Sequence, residues 1–322
     1  MKEFSVQRYN TVLKPQWDAF ISQAEVNSIL FYRDFMEYHN TRFEDYSLMI
    51  FQNYKLVAVI PANIDPKGCF HSHEGLSYGG VLFKKYAYFK TQLEVYTSIF
   101  NFLFDAGIVD VFIKSIPRCY GFESSNHLFF KWLSASLIRT EIYSYIPVGT
   151  YVKPNRGRLE SVKKGFDLNL TLKEAENFTP FWNQILIPNL KNRYLVNPVH
   201  TLEEIKKLHN LFPDQIKLFE VYQANRLRAG VVLFIHDKTV HTQYIASDIN
   251  RDDGSLDYLI DQVIKKYNST KTFSFGTSSE SHGELLNSGL LYWKESFRSV
   301  NDVQQFYHIK TKNYTALQNR LR

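Results

Sequence analysis

VHTQYIASDINRDDGSLDYLIDQVIKKYNSTKTFSFGTSSESHGELLNSGLLYWKESF, residues 240–297, is the stretch that decides the fold. It reads as strand, polar loop, amphipathic helix, strand, polar loop, helix. In the strand over 239–247, His241, Gln243, Ile245 and Ser247 share one face, and Thr242, Tyr244 and Ala246 share the other. Gly254-Ser255 opens a helix over 256–267, TFSFG (272–276) is the next strand, and a helix runs from about Glu284 to Phe297. Side chains with chemical potential gather where these strands end and the loops begin. In an open α/β sheet that is where ligands bind, because helix N-termini point there.

Working upstream, IKLFEVYQ (216–223), RAGVVLFIH (228–236) and TVHTQYIAS (239–247) form a meander. Thr201 and Glu204 form a capping box for the helix before it. Phe178 to Leu190 is helical, and Pro188 should bend or end it. RLESVKKG (158–165) reads as a short basic helix and FDLNLTL (166–172) as a strand. The first half follows a similar plan. YSLMIF (46–51) and LVAVIPANI (56–64) make a hairpin, Phe89 to Phe104 is a long helix that Gly107 closes, and VDVFIKSI (109–116) is a strand. YVKPNRG (151–157) carries Pro and Gly and reads as a linker, which gives two domains, 1–150 and 151–322. Each half runs meander, helix, strand, helix, strand. The fold class is α/β in the α+β sense, with a mixed, largely antiparallel sheet flanked by helices in each domain.

The composition narrows the function. Among 322 residues, 38 Lys and Arg against 32 Asp and Glu give a net charge of +6. The charge is scattered without a run of five, so a solvated surface is the expectation and DNA binding is not. The 26 Phe and 21 Tyr suit a β-rich core, although codon bias explains much the same excess. Two cysteines 50 positions apart suggest neither a disulfide framework nor a zinc site. Without an apolar leader or a run of about 20 apolar residues, a cytoplasmic protein with no membrane span is expected.

The order of elements resembles the Gcn5-related N-acetyltransferase (GNAT) fold in tandem. RGRLESVKKGFDLNL (156–170) and the segment 190–222 look like the entry to the second domain of FemAB-like transferases. IKSIPRCYGF (113–122), residues 228–264, SFGTSSE (274–280) and LLNSGLLYWKESF (285–297) resemble the cores of the two domains. The resemblance implies an acyltransferase that moves an acyl group from a thioester, acyl-CoA (acetyl-CoA being the simplest), to an amine or hydroxyl. The acceptor is a small molecule or a cell-envelope precursor, held between the domains. The chain has no room for the coiled-coil arm of the peptidoglycan-bridge enzymes, which argues against an aminoacyl-tRNA donor. A tRNA-dependent transferase and a non-catalytic binding protein remain the rivals. The second is favoured if Phe273 and Phe275 fill the space between the two strands.

In this fold the donor lies between two splayed strands and a backbone N–H polarises its carbonyl. Gln243 and Tyr244 are then candidates to orient the acceptor or pass a proton, or are simply packed. In the loop 247–255, Ser247, Asn250, Gly254 and Ser255 either cradle a diphosphate or form an ordinary capping loop, the latter suited by Asp248, Asp252 and Asp253. Asn287 is placed with the donor, Glu280 and Lys294 in catalysis, and Ser278 and Glu295 against the substrate. The other reading of these residues is helix capping plus a surface ion pair. Arg193 resembles a cleft-facing charge of the family, with a solvated Arg as the alternative. In HSHEGLSYGG (71–80), His73, Glu74 and Tyr78 either line an acceptor cleft along a Gly-bulged edge or belong to a purely structural turn. His71 and His73 lack a third ligand, and no metal is expected.

Overall fold

The computed structural model describes residues 3–121, 126–248 and 253–321. The chain divides into two compact units, Met1–Glu141 with Val303–Arg322, and Ile142–Asp302. The division differs from the 150/151 boundary read from the sequence, because the last strand returns to the first unit. The stretch read as a linker belongs to the second unit. There the Tyr151 hydroxyl donates to Asp261 at 2.7 Å, and Asn155 Oδ1 caps a helix by accepting from the Arg158 N–H at 2.9 Å.

In the first unit, β1 (Phe4–Arg8) precedes helix α1 (Lys14–Ile21). β2 (Leu48–Gln52) and β3 (Lys55–Ile60) form the expected hairpin. Short strands β4 (Phe70–His71) and β5 (Leu82–Phe83) follow, then helix α2 (Phe89–Asp105) and strand β6 (Asp110–Lys114). β1, β2, β3 and β5 pair antiparallel in that order, while β4 lies parallel to β6. Helix α3 (Asn126–Trp132) leads into β7 (Ser136–Ile146), whose last residues belong to the second unit. Val111 and Ile113 of β6 join Tyr96, Ile99, Phe100 and Leu103 of α2 in a buried core.

The second unit starts with helix α4 (Arg156–Asp167) and β8 (Thr171–Ala175). The strand expected at 166–172 thus begins five residues later, because Gly165 and Phe166 continue the helix against its neighbour. A π-helical turn, Phe181–Leu186, runs into α5 (Ile187–Tyr194). Pro188 does not break it: the helix runs on from the π-helical turn through Pro188 to Tyr194. Helix α6 (Leu202–Leu211) carries the complete Thr201/Glu204 capping box. The meander β9 (Ile216–Gln223), β10 (Arg226–Ile235) and β11 (Thr239–Ser247) follows, then α7 (Ser255–Tyr267) and β12 (Thr272–Thr277). Helix α8 (Ser288–Ser296) is shorter than expected, because 279–280 and 285–286 pair as a small hairpin before it. β13 (Val300–Lys310) closes the fold and pairs with β6 in the first unit through residues 306–310.

The sheet of the second unit runs β8, β9, β10, β11, β12, then the end of β7. Only β11 and β12 are parallel; the other neighbours are antiparallel. Val231, Leu233, Val240, Leu259, Ile260, Val263 and Phe273 are buried between this sheet and α7. Phe275 also turns into this core, where it meets Trp293 edge to face and packs at a tilt against Phe297.

Candidate active site

β11 and β12 pair at three positions, Thr239 with Thr272, Val240 with Phe273 and His241 with Ser274. Beyond these the described strands part. Each is bulged at the point of parting. Val232 faces Tyr244 and Leu233 faces Thr242, so Gln243 has no residue opposite it on β10. Ser274 faces Tyr145 and Gly276 faces Ser144, so Phe275 has none on β7. A bulge bends and twists the strand that carries it, and two of them turn a parallel pair into a V. Side-chain bonds hold the apex. His241 Nδ1 lies 3.2 Å from Ser274 Oγ, and Thr242 Oγ1 donates to the Ser274 carbonyl at 3.2 Å. Burial, with the nearby Lys294 charge, pushes the His241 pKa down to about 4, so its imidazole is neutral. Gly276 has φ +72, and a Cβ on it would sit 3.0 Å from His241 Cε1.

Lys294 reaches this apex from α8 and is 2 % exposed. Its Nζ donates to the carbonyls of Gly276 at 3.0 Å and Thr277 at 2.5 Å. Among the described residues no carboxylate pairs with it, and burial pulls its pKa down to about 7. A neutral lysine amine carries two N–H groups, which the two carbonyls accept. Its lone pair is then left over, which is the arrangement a proton acceptor needs.

The other expected residues fall around Lys294 in different roles. Asn287 caps α8, with Oδ1 accepting from the Leu290 N–H at 2.9 Å, and its Nδ2 donates to Glu280 Oε1 at 2.6 Å. Glu280 is exposed. Ser278 is buried, its Oγ without a hydrogen-bond partner among the described residues. Glu295 accepts from Asn301 Nδ2 at 2.6 Å. Gln243 shares the half-buried face of β11 with His241. Tyr244 points the other way, where its hydroxyl meets the His200 ring at 2.6 Å and burial pushes its pKa up to about 12. Tyr244 is thus engaged by His200 and by the Gln243 side chain. Sequence reading passed over Ser274; only the alternation in TFSFG hints that Ser274 and Gly276 share a face.

Ser247, Gly254, Ser255 and Arg193 line a second feature, a cleft of about 440 Å³ at the N-terminus of α7. Asn250 lies outside the described residues, and Asn287 does not line this cleft. The helix end is already capped, because Asp253 Oδ1 accepts from the Ser255 N–H at 3.1 Å and from its hydroxyl at 2.6 Å. The cleft also holds the ion pair of Arg158 with Asp257, and Asp253 of its lining pairs with buried Arg228. Arg228 is 1 % exposed, and its Nε and Nη1 have no hydrogen-bond partner among the described residues. Gly254 serves packing, since a Cβ there would lie 2.1 Å from the Ser161 carbonyl of α4. The described lining sets Arg158 and Arg193 against Asp248, Asp253 and Asp257, so it does not fit the basic cradle that a CoA diphosphate requires.

His73, Glu74 and Tyr78 lie in the first unit. The strand stops at His71, and His73 turns at φ +64 into a buried position where burial lowers its pKa to about 3. Glu74 exchanges hydrogen bonds with Asn63 at 2.7 and 2.9 Å. Tyr78 is 1 % exposed, its hydroxyl 3.0 Å from Ser28 Oγ, and it packs against Phe31 and Tyr120. The glycines here are spacers: a Cβ on Gly79 would lie 2.3 Å from the Ser72 carbonyl. Among the described residues no group of three or more His, Cys, Asp or Glu is arranged to hold a metal, and no helix is long and apolar enough to cross a membrane.

Known structures share this architecture. FemX superposes with a TM-score of 0.65 at 10% identity, over 99% of this chain and 100% of that one. The fold is FemAB-like, of the GNAT type. The C-terminal domain of a protein described as a lysylphosphatidylglycerol synthetase, from Agrobacterium fabrum, matches at 0.53 with 11% identity, over 82% of this chain and 84% of that one. A conserved protein of unknown function from Bacteroides thetaiotaomicron matches at 0.55 with 9% identity, over 96% and 99%. No family of known proteins matches the sequence, and no curated protein does.

Proposed function

We propose that the protein is an acyltransferase that moves an activated acyl group to the amine or hydroxyl of a small molecule or cell-envelope precursor. One observation carries the reading: two bulged parallel strands part beside a buried lysine that has no carboxylate partner among the described residues. A carbonyl group laid in the opening meets the unpaired part of β11, and an N–H group near Gln243 polarises it in this reading. Neutral Lys294 takes the proton that the attacking amine or hydroxyl sheds. Gln243 orients the acceptor. Glu280 and Asn287 hold the start of α8, and so the lysine, in place. No covalent intermediate is required; positioning, a polarised carbonyl and a base suffice.

The donor in this proposal is an acyl thioester such as acyl-CoA. A second reading, an aminoacyl ester on tRNA, draws support from Asp253, whose carboxylate occupies the helix end where a diphosphate would sit. The third, a binding protein without activity, draws on the buried Phe273 and Phe275. Thermal unfolding with acetyl-CoA, longer acyl-CoAs, free CoA and aminoacylated tRNA separates them. A ligand at 100 times its Kd adds about 2.7 kcal/mol to stability. A rise in Tm with thioesters supports the first reading, a rise with charged tRNA alone moves the donor to the second, and no rise with any activated acyl compound removes the enzymatic reading.

A further inference from the structure

Exposed rings and cations meet on a part of the first unit that the reaction proposed above does not use. Residues 75–93, 126–140 and 303–322 contain neither Asp nor Glu. The fold packs these segments together. Residues 311–318, a turn and a short helix, lie against α2, and the short helix also touches α3. Phe89, at the start of α2, stacks on Phe129 of α3 with centroids 5.1 Å apart and meets Trp132 edge to face at 6.2 Å. Arg320 lies over the Trp132 ring at 5.5 Å. Lys85, Lys90, Lys131 and Arg320 are exposed, and none of them forms an ion pair among the described residues. Such a face carries a positive field with no acid beside it to cancel it, which selects an anionic partner.

The segment KYAYFK (85–90) turns its rings outward from this face. Tyr86 is 95 % exposed, Tyr88 81 % and Phe89 43 %. Both tyrosines occupy positions where the local backbone favours another residue. Tyr86 has φ +64, in the left-handed region that Asn or Gly fills at less cost. Tyr88 is the N-cap of α2 and makes no capping hydrogen bond, where Ser, Thr, Asn or Asp would supply one. Local stability is given up twice in three residues, and each time a ring is held in water. A chain departs from its local preferences in this way where function asks for it. A ring with an apolar body and a wet hydroxyl, standing clear of the surface beside lysines, matches the boundary between lipid headgroups and acyl chains. A single-stranded nucleic acid is held by rings that line a groove, whereas Tyr86 and Tyr88 protrude almost wholly into solvent.

We propose that this face docks on the surface of an anionic lipid bilayer, with Tyr86, Tyr88 and Phe89 entering the headgroup layer and Lys85 and Lys90 meeting lipid phosphates. The docking stands on residues of the first unit alone and does not depend on the reading of Lys294.

The full chain is sedimented with vesicles of phosphatidylcholine alone and of phosphatidylcholine mixed with phosphatidylglycerol. Binding should be at least about tenfold stronger to the anionic vesicles and should weaken as salt is raised. Lys85→Gln and Lys90→Gln should each weaken it about fivefold, the weight of one cation near an anionic surface. The double variant Tyr86→Asn with Tyr88→Ser should weaken it about tenfold or more, through the loss of two rings from the headgroup layer. Both replacements suit the backbone they enter, so this variant should unfold in urea no earlier than wild type, and its lost binding is then not lost structure. The proposal is overturned if the wild type does not prefer anionic vesicles, or if the double variant binds them as the wild type does. It is overturned as well if the double variant keeps its grip on vesicles and loses instead the binding of single-stranded oligouridylate, which gives the face to nucleic acid, or a dimer seen by light scattering, which gives it to a second copy of the chain.

Discussion

Lys294 shows how one side chain acquires a task. A lysine in water is a cation, but at 2 % exposure and without a carboxylate partner among the described residues it sits near neutrality. If it is the proton acceptor, kcat rises with pH through about 7, as the amine loses its proton. Lys294→Met should lower transfer about 10²- to 10⁴-fold, the usual weight of a general base. A flat pH–rate profile from 6 to 8, or a fully active Met variant, would remove Lys294 from the chemistry. The stability sign is separate. Between about 7 and the ordinary lysine value near 10.4 the unfolded chain holds the extra proton, so stability rises with pH there. The penalty of burying the charge is full below pH 7. Lys294→Met should thus be more stable relative to wild type at pH 6 than at pH 10, measured by urea unfolding. The residue types around this lysine were visible in the sequence, because polar groups interrupting an apolar helix need partners. The role of Tyr244 was not readable in the sequence, since only the folded chain reveals that His200 claims its hydroxyl.

At the scale of elements, the contact of α4 with α7 explains both a misread boundary and a misread glycine. Gly165 and Gly254 let the two helices touch: a Cβ on Gly165 would lie 2.4 Å from Tyr258 Cβ, and one on Gly254 would meet the Ser161 carbonyl. In the sequence, Gly165 looks like a helix end and Gly254 like part of either a diphosphate cradle or a capping loop. Both are spacers in a packed interface. Gly254→Ala should destabilise by about 1–3 kcal/mol, as overpacking does, with further strain from its φ of +82. A denaturation midpoint equal to that of wild type would show that the helices can separate freely. Thr201 shows the opposite case. Its capping box needs only four consecutive residues, so it was readable directly, and Thr201→Ala should cost about 1 kcal/mol in the same measurement.

Across the whole molecule, His73, His236 and His241 tie stability to acid. Burial holds His73 and His236 down to about 3, and His241 to about 4. In the unfolded chain each titrates near 6.5. As pH falls from about 6.5 toward 4 the unfolded state takes up protons that the folded state refuses, so stability is lost across that window. The urea midpoint should therefore drop between pH 7.5 and 5, and an unchanged or higher midpoint at pH 5 would contradict these burial states.

The sequence by itself determined most strands and helices, their order and the mixed α/β plan, because alternation, helical spacing and caps act over a few neighbouring residues. Only the tertiary structure decided where β11 and β12 part, that Lys294 is desolvated, that Gly254 is a spacer, and that the last strand rejoins the first unit. Each of these is set by groups far apart in the chain, such as Gly276 with Lys294 or Ser161 with Gly254. No local pattern encodes a distance that exists only after the chain has packed.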